Sequence, residues 1–148
     1  MKLFIDIRIK DNIMTKFKYH KDGSKPTEDN QIFVFGSNLS GIHGAGAARE
    51  AYENYGAKWG KAFGFSGKTF AIPTKDRTVS NTLNLNEIRT FINIFILETF
   101  LEENIEKEFF ITRVGCGLAG LKDSEVAHIF KDCNVNCNFP EEWTEYLE

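Results

Sequence analysis

The chain has no surplus of positive charge, few cysteines and no long unbroken apolar run, and each shortage removes a class of protein. Its 18 basic residues face 21 acidic ones, for a net charge of −3, which gives no support to a free nucleic-acid polymer as partner. Cys116, Cys133 and Cys137 are odd in number and too few for a disulfide scaffold, so a reducing, cytoplasmic setting is expected. Cys133 and Cys137 stand four apart with no His or further Cys to complete a zinc set. The opening MKLFIDIRIK is too short and too alternating for a secretory core. The longest apolar stretch, Phe91 to Leu101, is broken by Asn93, Glu98 and Thr99, so no membrane span is expected. Internal repeats and low-complexity segments are missing too.

What remains is a chain built to fold. Over 148 residues, 42% are hydrophobic and fourteen are Phe, enough for one domain with a single substantial core. Leu3, Ile5, Ile7 and Ile9 alternate with polar residues from Lys2 to Lys10. Ile13, Thr15, Phe17 and Tyr19 continue the alternation after Asp11-Asn12, which predicts a β-hairpin. Lys21 to Asn30 reads as a polar loop with no function.

Gln31 to Ala48 (QIFVFGSNLSGIHGAGAA) is the stretch around which the chain is organised. Ile32 to Phe35 is a short, wholly apolar run, as in a strand buried on both faces. It ends at Gly36-Ser37-Asn38, and after Gly41, His43, Gly44 and Gly46 a helix is expected from Ala45 to Tyr55, closed by Gly56. Such a turn either presents backbone N–H groups to an anion, phosphate above all, or serves as a tight connection needing positive φ. The spacing matches neither G-x-G-x-x-G nor the P-loop.

Gly60 to Gly67 reads as either a flexible rim over a crevice or a surface loop with Phe63 and Phe65 tucked inward. Thr69 to Pro73 is a further buried strand. Asn84 with Glu87 three residues on starts a helix running to Glu103, and its wide apolar stripe predicts cover over much of its circumference. Glu108 to Val114 is a strand that runs into Gly115-Cys116-Gly117. Asp123 is the expected cap of a short helix, Cys133 to Cys137 a last strand, and Pro140 to Leu147 a terminal helical turn.

The alternation of strands and helices predicts an α/β fold, a three-layer α/β/α sandwich whose central strands are parallel. The N-terminal hairpin at one edge would make the sheet mixed. Three strands then end in marked clusters, at Gly36-Ser37-Asn38, Pro73-Thr74-Lys75-Asp76 and Gly115-Cys116-Gly117. Parallel strands place all three on one rim, where ligands of such sheets bind.

These residues resemble the macrodomains, a family that binds ADP-ribose and in several branches hydrolyses its conjugates. Gly36-Ser37-Asn38-Leu39 with His43-Gly44-Ala45-Gly46-Ala47-Ala48 is similar to that family's first loop, and Phe110 to Gly120 (FITRVGCGLAG) to its second phosphate loop. Ala71 to Ala119 most resembles the terminal ADP-ribose glycohydrolases, and the whole pattern also resembles macrodomain-like proteins of phages and prophages. The resemblance implies a macrodomain-like fold and ADP-ribose, or an ADP-ribosylated molecule, as partner. It implies no cofactor, no metal and no membrane, and nucleic acid only as a modified substrate.

Carried over, the diphosphate would lie between Gly36, Ser37, Leu39, Gly44, Ala45, Gly46 and Ala47 on one side and Gly115, Cys116, Gly117, Leu118 and Ala119 on the other, with Thr74 between. Asn38 would contact the distal ribose and Lys75 would match the catalytic lysine. The branch's assisting Asp is replaced by Ala119, and Asp76 is the nearest substitute. The adenine-reading Gly-Asp segment is missing ahead of Ile32, where Glu28 and Asp29 stand. His43 is either an acid/base or ribose contact or a fastening for its loop; Cys116 is either a nucleophile or a filler of small space. Three functions follow from the resemblance: a glycohydrolase or deacylase, a reader that sequesters the nucleotide, and, more remotely, a phage structural protein.

Overall fold

The computed structural model describes residues 8–10 and 13–148. It is an α/β fold with a six-stranded, mostly parallel sheet and four helices. The sheet order is β3 (Lys18–His20), β8 (Cys137–Pro140), β7 (Glu108–Ile111), β4 (Gln31–Asn38), β6 (Thr69–Lys75) and β5 (Gly64–Ser66). Every neighbouring pair is parallel except β5 and β6. The helices are α1 (Gly46–Asn54), α2 (Leu85–Phe100), α3 (Asp123–Val126) and α4 (Thr144–Leu147).

The expected N-terminal hairpin is corrected at its sheet partner. β1 (Arg8–Lys10) pairs antiparallel with β2 (Ile13–Thr15) in a separate two-stranded ladder. Residues 2–7 of the expected first strand, and its turn at Asp11-Asn12, lie outside the described residues. The sheet edge is taken instead by β3, which runs parallel to β8. The antiparallel member is at the far edge, where Gly64–Ser66 pairs with Thr69–Ala71. Phe63 and Phe65 are half-buried there, each with its ring edge-on to Phe70. Of the two readings of this glycine-rich run, the one with inward Phe side chains holds, although part of the run is strand.

Alternation along β4 feeds two apolar clusters. Phe33 and Phe35 pack with Ala48 and Ala51 of α1, whose small side chains let the helix lie close. Ile32 and Val34 join Phe70, Ile72, Phe109 and Ile111 against Ile88, Ile92 and Phe95 of α2. The aromatic rings there meet mainly edge-on, as Phe95 does with Phe70 and Phe109 at 5.0 and 5.3 Å, the arrangement their quadrupoles favour.

Local signals explain most boundaries. Asn84 caps α2, its Oδ1 accepting from the Glu87 N–H at 2.9 Å. Gly56 takes φ +81 beyond α1, and the Ala57 N–H returns to the Ala51 carbonyl at 3.1 Å. Asp123 is the first residue of α3 and not its cap; Lys122 holds that place, and its N–H donates to Glu125. The last strand begins where it was expected to end, at Cys137. The reason lies in the asparagines before it. Asn134 and Asn136 donate to the Thr99 and Asn104 carbonyls, so this segment is tied mainly by side chains, and backbone pairing with β7 starts only at the Asn136 carbonyl, which accepts from the Phe109 N–H.

Candidate functional site

The carboxyl ends of β4 and β6 and the turn after β7 open on one crevice of about 690 Å³. The two glycine turns are neighbours across it. A methyl on Gly36 would stand 3.3 Å from the Gly115 amide nitrogen and 3.4 Å from Thr74 Oγ1. A methyl on Gly46 would stand 3.6 Å from the Leu118 side chain. The floor is thus tight enough that a side chain at Gly36 would have to push the second turn away by a few tenths of an ångström, while at the lip Gly46 lies within ordinary contact of Leu118.

The first turn is braced from within. Asn38 Nδ2 donates to the Ile42 carbonyl at 2.7 Å, and its Oδ1 accepts from the N–H groups of Ser40 and Ile42. Ser37 Oγ donates to the Ala62 carbonyl, and Thr74 Oγ1 to the Ser37 carbonyl at 3.2 Å. Gly41 lies against Gly60, whose N–H donates to the Gly41 carbonyl at 2.8 Å. Ala45 precedes α1 with no side-chain cap, and no acidic residue stands in the helix's first turn. The first N–H groups of α1 and its positive end thus face the crevice beside Ala45, Gly46, Ala47 and Ala48.

The second turn is held by three backbone bonds, Cys116 N–H to Arg113, Gly120 N–H to Gly117 and Leu121 N–H to Gly115. Among the described residues none accepts from the N–H groups of Gly115, Gly117, Leu118 or Ala119. Thr82 Oγ1 donates to the Ala119 carbonyl at 2.6 Å and ties the turn to the loop after β6. The crevice is therefore bounded by unspent backbone donors from two sides.

Most of the residues singled out from the sequence line this space: Gly36, Ser37, Asn38, Gly44 to Ala47, Thr74, Lys75 and Gly115 to Ala119. Three do not. Leu39 is half-buried against the main core. His43 is buried behind its turn, its Nε2 donating to the Lys58 carbonyl at 3.0 Å and its ring edge-on to Phe35 and Trp59. Burial lowers its pKa, while its bond to Lys58 opposes that shift. Asp76 turns into its own loop, accepting from Thr78 and Asn81; those bonds hold its carboxyl below the usual range.

Lys75 reaches the crevice, and its Nζ donates to the Val79 carbonyl at 3.4 Å. Val79 has φ +64, an unfavourable value for a β-branched residue. Cys116 is half-buried, and its thiol is pushed up to about 12 by burial and by the Asp123 carboxylate. A thiol held protonated in this way favours the space-filling reading over the nucleophile.

Sequence reasoning missed one wall entirely. His20, Asp22, Gly23, Ser24, Lys25 and Arg113 also line the crevice, although Lys21 to Asn30 read as a loop without function. Lys25 pairs with Glu50 of α1, and Asp22 pairs with Arg113 at 3.3 Å. The His20 ring stacks on Phe110 at 3.9 Å, and its Nδ1 is bonded to Asn138. Phe33 lies beyond, parallel to Phe110. This end of the crevice is flat, aromatic and rimmed by charge. Its signal was the direction of Lys18–His20: a parallel edge strand delivers the loop that follows it to the same rim as the glycine turns.

Among the described residues no group of His, Cys, Asp or Glu is placed to hold a metal ion, and no helix is long and apolar enough to cross a membrane. No protein-family model matches the chain, and a search of curated proteins finds no match. The crevice has to be read from its own geometry.

Proposed function

We propose that the crevice binds ADP-ribose or a related nucleoside diphosphate. One observation carries the reading: free backbone N–H groups of the Gly115–Ala119 turn stand across from the uncapped start of α1. A diphosphate satisfies donors on both sides at once and meets the positive helix end. The half-buried His20 ring, backed by the buried Phe110 on which it stacks, offers a flat face that suits a base. The macrodomain resemblance agrees, because both of its loops fall on this crevice.

Binding without turnover is the reading taken here. Asp76 is spent within its own loop and Ala119 bears no acid, so among the described residues Lys75 has no carboxylate partner of the kind the glycohydrolase branch uses. One observation favours the hydrolase: Lys75 is in the wall, and among the described residues its ammonium bonds to a backbone carbonyl alone. There it would act as nucleophile or electrostatic stabiliser toward an anomeric carbon.

Titration calorimetry with ADP-ribose, ADP, AMP and ribose 5-phosphate separates these readings. Micromolar binding of ADP-ribose and ADP, with AMP and ribose 5-phosphate much weaker, is the expected result. Silence toward every diphosphate would end the proposal. Incubation with ADP-ribosylated protein or oligonucleotide then tests for release. Turnover that disappears in Lys75→Ala while binding survives would replace the reader with the hydrolase.

A further inference from the structure

The loop between β3 and β4 is anchored at its ends and loose between them. At one end His20 closes β3, in register with Pro140 of β8, and its Nδ1 is bonded to Asn138. At the other, the Thr27 and Glu28 N–H groups both donate to Oε1 of the buried Gln31 at 2.8 Å. Lys21 to Lys25, in the middle, are all exposed. Among the described residues, the backbone of Asp22 to Lys25 makes one bond, from the Ser24 N–H back to the Lys21 carbonyl at 3.0 Å. The tip is Gly23, with φ +82 and open space where a side chain would stand.

Charge is what holds this span down. Asp22 pairs at 3.3 Å with Arg113, which follows β7 and leads into the second turn, and Lys25 pairs with Glu50 of α1, which follows the first. All four line the crevice, with Gly23 and Ser24 between them. Two side chains three residues apart thus reach opposite banks, and the span crosses the end where the His20 ring lies. Both catches are fixed: Glu50 belongs to a helix, and Asp123 grips Arg113 through two further bonds at 3.0 and 2.6 Å.

We propose that Asp22 to Lys25 form a strap, latched by these two ion pairs, that lifts to admit a base and closes over it. The ligand in this inference rests on the diphosphate reading above, to which it adds control of entry and release. Exposed pairs of this kind bias an equilibrium only a few-fold each, so the closed form prevails but opens often. Gly23 absorbs the backbone change. A base lying on His20 leaves after the strap lifts, and the latches therefore act on the dissociation rate.

Glu50→Gln distinguishes a latch from a plain field effect, because the two have opposite signs. Removing an acid from the wall slows release of an anionic ligand if only the field matters; freeing Lys25 speeds it if the strap is latched. Stopped-flow displacement of etheno-ADP-ribose by excess ADP-ribose should show release about threefold faster in Glu50→Gln. Lys25→Glu combined with Glu50→Lys should return it to the wild-type rate. In the ligand-free protein, tryptic cleavage after Lys21, followed by mass spectrometry, should quicken by a similar factor in Glu50→Gln and be normal in the exchanged pair. Release that is unchanged or slower, cleavage indifferent to Glu50→Gln, or an exchanged pair that restores neither would overturn the strap. Cleavage needs no nucleotide, so the two readings fail separately. A chain that ignores ADP-ribose but gives the cleavage result loses the diphosphate reading and keeps the latch; a binder with neither effect does the reverse.

Discussion

Two glycine turns face each other across the crevice, and they are built differently. In the turn of Gly36 to Gly46, the Asn38 side chain makes three bonds within the turn, Ser37 and Thr74 add two more, and Gly41 is pressed against Gly60. The turn of Gly115 to Gly120 has three backbone bonds and one hydroxyl, with Gly117 and Leu118 in solvent. The first is a rigid wall whose donors are aimed in advance. The second is a rim whose donors are free, and it is the one able to adjust to what is bound. Pre-aimed dipoles on one side cut the ordering cost of binding, and an adjustable side tolerates variety in the ligand.

The largest effect expected from this contrast is on stability. Gly41 has φ +65, and a methyl there would lie 2.4 Å from the Gly60 carbonyl carbon. Gly41→Ala should therefore cost roughly 3 kcal/mol or more in urea unfolding. Gly117→Ala, with open space around it, should change stability by less than about 0.5 kcal/mol. Equal losses in the two variants would mean that the turns are braced alike.

Binding reverses the order of importance. Gly117→Glu leaves packing untouched but adds bulk and negative charge among the free donors of the second turn. Diphosphate affinity should fall more than tenfold, about 1.4 kcal/mol or more, with the unfolding midpoint unmoved. Retained affinity would place the anion somewhere other than between the turns.

A smaller effect comes from the loop between them. Val79 is the one non-glycine residue with positive φ among those described, and its carbonyl receives Lys75. Asn tolerates that backbone better than a β-branched residue, so Val79→Asn should stabilise the protein by about 1 kcal/mol, measured by the same unfolding. A loss of stability would show that the Val79 side chain packs usefully enough to outweigh its backbone strain.

How far the sequence led depended on whether a feature was local. The apolar run of β4, the Asn84 cap and the marked ends of three strands, two of them glycine turns, are readable from adjacent residues, and they placed the crevice at the rim where it lies. The direction of Lys18–His20 was not readable, because an alternating segment pairs equally well either way and only its contact with β8, over a hundred residues on, decides it. Reading it as the return arm of a hairpin sent its loop to the wrong end and hid Asp22, Lys25 and the His20 ring. Side-chain direction was equally hidden. His43 and Asp76 sit next to crevice residues in the chain but point away, since bonds to Lys58 and to Thr78 and Asn81 hold them there.

Those same bonds separate the two turns by pH. His43 donates through Nε2 to the Lys58 carbonyl, and its Nδ1 is buried without a partner, so a second proton would place an uncompensated charge behind the first turn. Its folded pKa is lowered by burial; opening the turn lets it protonate at its ordinary value, near 6.5. The first turn's stability is thus constant above that pH and declines as pH falls below it, until the folded pKa is passed. Beside the second turn stands Asp123, whose carboxyl is lowered by bonds from Arg113 and Trp143. A carboxylate held low contributes fully above its ordinary range, near 3.8, and is lost only below it. Amide exchange at pH 7, 5.5 and 4.5, corrected for intrinsic rates, should show protection at Ile42 falling by a few-fold while that at Leu121 holds. Parallel loss at both would mean that the turns open as one unit and that the contrast between wall and rim is not energetic.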